Sequence, residues 1–163
     1  MTVVLASVAF WAPVTYRLIG DDGKPEIVQG RARYQRLKTS ERRALDRRLR
    51  ANHLTPDVRA GIRAQLDAPD SKFTARERRE IEADLAAEPI NDEQFLQALL
   101  VDWDFKDKTG AVISYTPAMC AQLCEEWDGF EAALARGYMD AQKSLNDPKE
   151  QEKNSGAPSG TGS

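Results

Sequence analysis

The sequence predicts an α+β fold: a small N-terminal antiparallel β-hairpin or three-stranded sheet, then a mainly α-helical domain, then a disordered C-terminal tail. Three observations predict it. Residues 14–19 alternate in the manner of a strand before the turn-forming run Asp21, Asp22, Gly23, Lys24 and Pro25. From Thr39 the apolar spacing becomes helical. Beyond Leu145 no large apolar residue remains to anchor the chain. The 163 residues therefore divide into a β region at 1–38, a charged helical segment at 39–88, a helical region at 89–145 and a tail at 146–163.

In the β region, Val14, Tyr16 and Leu18 alternate with Thr15, Arg17 and Ile19, and Gly23 can take positive φ at low steric cost. The return strand spans 26–37, where Gly30 marks an expected bulge. The opening 2–11 is β-branched and apolar enough for a third strand, although its length and Pro13 would also fit an extended arm.

The first helix starts at a Thr39 or Ser40 cap and aligns Leu45 with Leu49. The second starts at Thr55, Pro56 and Asp57, carries the stripe Val58, Ile62 and Leu66, and ends at Ala68, Pro69 and Asp70. Thr74 and Glu77 form a capping box for the third, whose apolar line is Ile81 and Leu85 alone. So thin a stripe belongs to a surface helix or to one that completes its packing on a partner. A fourth helix is expected from Asn91 through Phe95, Leu96, Leu99, Leu100 and Trp103. A turn at 104–110 leads to a small β element at 111–115. Thr116 and Pro117 open a helix lined by Met119, Cys120, Leu123, Cys124 and Trp127, and the last helix, 129–143, presents Phe130, Ala133, Leu134, Tyr138 and Ala141.

Composition removes several function classes. No apolar run approaches the roughly 20 residues that span a bilayer, and the start lacks the basic residues of a secretory signal. Two cysteines and the single His53 give little material for a zinc site, a disulfide framework or a His-centred triad. Cys120 and Cys124, four apart, could face one ligand, but they also read as small apolar members of a core stripe. The pairs Asp102 with Asp104 and Glu125 with Glu126 read as surface solvation, and no glycine spacing suits a phosphate loop. The expectation is a non-enzymatic protein with no metal and no cofactor.

The net charge of −3 hides an asymmetry. Residues 31–63 hold eleven Lys or Arg against Glu41, Asp46 and Asp57, a net of +8, which leaves −11 elsewhere. The cluster Arg42, Arg43, Arg47, Arg48 and Arg50 could follow a phosphate backbone, or form a solvated face that docks on an acidic surface. No aromatic lies in it for base stacking and no helix-turn-helix pairing supports base readout, so the partner-binding face is preferred over nucleic acid.

The order of the pieces carries a family resemblance. Arg36, Leu37, Lys38, Thr39 and Ser40 join a strand to a helix; an apolar helix closes on Leu99 to Trp103; an acidic, glycine-containing turn follows at Asp107 to Gly110; then come Ser114 to Pro117 and a last helix with Tyr138. This arrangement, over 14–142, resembles the tail assembly chaperones of long-tailed (siphovirus-type) bacteriophages, with 51–88 as an insertion. The resemblance implies a late, non-enzymatic protein of the host bacterial cytoplasm, absent from the mature virion. It would bind the tape measure protein, keep it soluble and help recruit the tail tube protein during tail morphogenesis. Members are often made in two lengths by ribosomal frameshifting, which would add a longer form of this chain as a partner. Arg42, Arg43, Arg47 and Arg48 would steer the encounter, and exposed members of the set Ile81, Leu85, Trp103 and Trp127 would supply apolar contact. The competing expectations are a nucleic-acid-binding regulator and a structural tail-completion protein.

Overall fold

A computed structural model describes residues 8–145. Strands β1 (Ala9–Ile19), β2 (Pro25–Gln35) and β3 (Leu100–Trp103) form one antiparallel sheet in the order β1-β2-β3, as the α+β expectation requires. Gly23 turns the β1–β2 hairpin at φ 77°, and the Gly20 N–H donates to Lys24 O at 2.8 Å. At the other end the Arg36 N–H donates to Val8 O at 2.7 Å. Alternate pairs of an antiparallel ladder are hydrogen-bonded. The even-numbered residues of β1 therefore bond to β2, and the odd-numbered ones direct N–H and C=O toward the open edge.

Pro13 is one of the odd-numbered residues, so its missing N–H removes no bond to β2, and the strand runs straight through it. This corrects the reading of 2–11 as a separate strand or arm: its described part begins β1. The third strand is β3 instead. Gly30 is likewise not a bulge against β1, since it pairs in register with Val14. It is small because Phe105 lies over it, where a Cβ would come 2.5 Å from the ring. The irregularity falls between Arg33 and Tyr34, on the β3 side.

Helices α1 (Thr39–Ala51), α2 (Pro56–Asp67), α3 (Ala75–Ala86), α4 (Asp92–Leu99), α5 (Pro117–Glu126) and α6 (Phe130–Leu145) follow. The caps of three agree with expectation: Thr55 Oγ1 accepts from the Val58 N–H, Thr116 Oγ1 from the Met119 N–H, and Thr74 and Glu77 satisfy each other's N–H groups at 2.7 and 3.2 Å. On α1 the cap is Lys38, whose N–H donates to the Glu41 carboxylate at 2.8 Å, so Thr39 is already helical. The expected long helix through Trp103 is corrected: α4 stops at Leu99 and the chain becomes β3. Phe95, Leu96, Leu99, Leu100 and Trp103 are nonetheless all buried. The β element at 111–115 reduces to a bridge of Val112 with Lys106.

The chain forms two units: Leu37–Gln94, and the described residues outside that interval. The sequence segments 1–38 and 89–145 thus contribute mainly to one unit. In it, α6 packs on β1, and Tyr16, Tyr34, Leu99, Trp103, Phe105, Phe130, Leu134 and Tyr138 make the core. Phe130 meets Phe105, Tyr16 and Trp127 edge-on at 5.3–5.4 Å. Its polar tips are satisfied: Trp103 Nε1 donates to Ile113 O and the Tyr16 hydroxyl to Asp128 O, each at 2.7 Å. The other unit holds α1, α2 and α3. There the Asn52 side chain grips the Ile90 backbone at both C=O (2.9 Å) and N–H (3.2 Å). The expected disordered tail, 146–163, lies outside the described residues.

Candidate functional site

In the helical unit the thin stripe of α3 borders a hollow. Ile81 and Leu85 are half-buried and line an apolar hollow of about 280 Å³ with Leu54, Ile62, Leu66 and Phe73. Leu66 closes its floor, while Phe73 is 37% exposed at its lip. The α2 stripe Ile62 and Leu66 thus meets the α3 line, and Val58 stays outside, exposed. Phe73 and Leu54 are the members that periodicity missed, because both lie in connections between helices.

Arginines bind the rim of this unit from within. Arg47 Nε contacts Asp84 Oδ1 at 2.8 Å, Arg50 Nη2 contacts the same oxygen at 3.2 Å, and Arg47 Nη2 reaches Glu80 at 3.3 Å. Partial burial pushes the Asp84 carboxyl up, but the hydrogen bonds and charges of Arg47 and Arg50 outweigh it and hold it below the usual aspartate range. Arg59 Nη1 donates to Leu85 O at 2.6 Å and Arg78 Nη1 to Leu66 O at 2.9 Å, so two more guanidinium groups hold helix-terminal carbonyls. Arg48 donates to the Glu88 and Pro89 carbonyls at 3.1 and 3.3 Å.

The expected steering residues are therefore separated by the structure. Arg47 and Arg48 tie α1 to the segment at α3 and beyond, Arg42 pairs with Asp46 at 3.2 Å, and Arg43 is exposed. The apolar set divides too. Ile81 and Leu85 share the hollow, whereas Trp103 is 2% exposed and belongs to the core of the other unit, which corrects its place among surface contacts. Trp127 is half-buried, stacked on Tyr16 at 6.0 Å.

The remaining chemical candidates lie in the sheet-containing unit. Cys120 and Cys124 on α5 form no disulfide, and a side-chain hydrogen bond with Cys124 lowers the Cys120 pKa against the opposing effect of burial. Asp104 accepts from both the N–H and Nε of Arg31 at 2.6 Å, and Asp102 accepts from the Trp103 N–H at 2.8 Å. Among the described residues no group of three His, Cys, Asp or Glu could hold a metal ion. No helix there is long and apolar enough to cross a membrane.

A second concavity, about 790 Å³, lies in the sheet-containing unit between the outer edge of β1 and α6. Trp11, Thr15 and Arg17 border it on the strand, Arg136, Asp140 and Ser144 on the helix, and Asp128 at one end. No protein-family model, curated protein or solved structure matches the chain.

Proposed function

We propose that this protein is a tail assembly chaperone of a long-tailed bacteriophage, which binds the helical tape measure protein in the host cytoplasm, keeps it soluble and helps bring tail tube subunits to it. The observation that carries the reading is the hollow between α2 and α3. Ile81, Leu85, Ile62 and Phe73 form an apolar strip that the unit's own helices leave partly open. An amphipathic helix lays its apolar face into such a strip, and binding of that kind requires no reactive group. The order of motifs from Arg36 to Tyr138 supports the same family.

The engagement of Arg47, Arg48, Arg50, Arg59 and Arg78 inside the helical unit weighs against a phosphate-tracking role, which needs cations directed outward. The test is co-expression with the tape measure protein of the same genome, followed by size-exclusion chromatography. Co-elution with a client that is insoluble alone supports the reading, and Leu85→Asp should abolish it. A client that stays insoluble while this chain elutes alone refutes it. Mass spectrometry of purified particles separates a chaperone, absent from them, from a structural tail component.

A further inference from the structure

From the edge geometry of β1 we infer that this chain forms a two-fold dimer by antiparallel pairing of β1 with β1 of a second copy, centred on Thr15. The sheet order leaves β1 without a strand on its outer side among the described residues, and the ladder parity aims the N–H and C=O groups of Trp11, Thr15, Arg17 and Ile19 there. An edge of this length is a template for another strand. What distinguishes this one is that its side chains suit a copy of itself.

Centred on Thr15, an antiparallel pairing sets Thr15 opposite Thr15 of the second copy and Trp11 opposite its Ile19. Trp11 and Ile19 are 41% and 67% exposed, so the register covers two large apolar side chains with each other on the same face. Moving the centre by one residue sets Trp11 against Arg17 instead. Centring on Pro13 places two residues without N–H face to face at the axis. In the Thr15 register about six main-chain bonds form at the Thr15 and Trp11–Ile19 pairs. Pro13 forfeits only its bond toward Arg17.

Charge does not oppose the pairing. The concavity beside this edge carries Arg17 and Arg136 together with Asp128 and Asp140. A groove of one sign would select a peptide of the other and repel its own copy; a groove holding two of each sets no net charge against a second copy. The pairing neither requires nor excludes client binding, which was placed in the other unit.

Sedimentation equilibrium of the full chain tests it. Wild type should sediment at twice the 18.2 kDa chain mass in the micromolar range. Thr15→Pro removes the two central bonds without touching the ladder to β2, and should raise the dissociation constant on the order of tenfold or more with the circular dichroism spectrum unchanged. Thr15→Cys should cross-link to itself under mild oxidation, since directly opposed hydrogen-bonded residues lie about 5.5 Å apart between Cα atoms, within disulfide reach. Wild type, with its own two cysteines, is the control. A monomer at about 100 μM, or a dimer unmoved by Thr15→Pro and not trapped by Thr15→Cys, overturns the inference; the second result would assign the contact to a different surface.

Discussion

Gly137 and Val14 meet so closely that α6 tolerates no side chain at this point: a Cβ on Gly137 would lie 2.7 Å from Val14 Cγ2 and 3.0 Å from the Tyr34 hydroxyl. Gly137→Ala therefore sets two effects against each other. Helix propensity favours alanine by about 1 kcal/mol, while overpacking a tight contact costs about 1–3 kcal/mol. Val14 and Tyr34 are buried and cannot swing away, so the cost should win and urea should unfold the variant at lower concentration. Gly61 on α2, where a Cβ meets nothing within 4 Å, is the control. There the same substitution should stabilise by about 0.5–1 kcal/mol, and a loss at Gly61 would contradict the packing described.

Tyr34 offers a second test of the same core. Its hydroxyl donates to Leu134 O, and burial raises its pKa well above the ordinary phenol value. Tyr34→Phe removes the buried hydrogen bond to Leu134 O, together with the hydroxyl's hydrogen bond to the Tyr138 backbone, without changing ring packing against Tyr138, and should cost about 1 kcal/mol in equilibrium unfolding. No change would mean that these bonds are not made in solution.

Asp84 gives the helical unit a pH dependence of known sign. Its carboxyl titrates lower in the folded chain than in the unfolded one, so its contribution is fully present above the ordinary aspartate value of about 3.9. It is lost as pH falls through the depressed folded value. The stability difference between wild type and Asp84→Asn should thus be constant near neutrality and shrink below about pH 4. Both partners are partly solvated, which limits the difference to about 1 kcal/mol or less. A difference that grows on acidification would reverse the assignment.

Thr74→Ala removes the side-chain half of the α3 capping box, a change of about 1 kcal/mol. The effect should appear in hydrogen exchange as faster exchange of the amides in the first turn of α3. Protection unchanged at Glu77 would show that the cap is dispensable.

Local chemistry made most of the helices legible in the sequence. Thr55, Thr74 and Thr116 announce their helices by side-chain groups that act within one turn, and Gly23 announces its turn by conformation alone. What sequence could not reveal depends on pairing across distance. Leu100, Val101, Asp102 and Trp103 continue the apolar spacing of α4, and only the neighbouring β2 makes them a strand. Pro13 suggests a break until the hydrogen-bond parity of β1 is known. At the candidate site, Ile81 and Leu85 were visible as a stripe, but the hollow needs Phe73 and Leu54 from connecting segments. The arginine cluster looked like one surface in sequence, whereas Asp84 and backbone carbonyls take up most of it.

The pairing of Tyr34 with Leu100 closes a chain loop that holds the whole of Leu37–Gln94. Closure entropy rises only with the logarithm of loop length, by about 0.6 kcal/mol for each doubling. The sheet is thus nearly indifferent to how much chain is threaded between β2 and β3. Lineages descended from a common ancestor could lengthen, shorten or exchange that interval while keeping the same hairpin, β3 and α6. Divergence should therefore run faster there than in the residues that flank it.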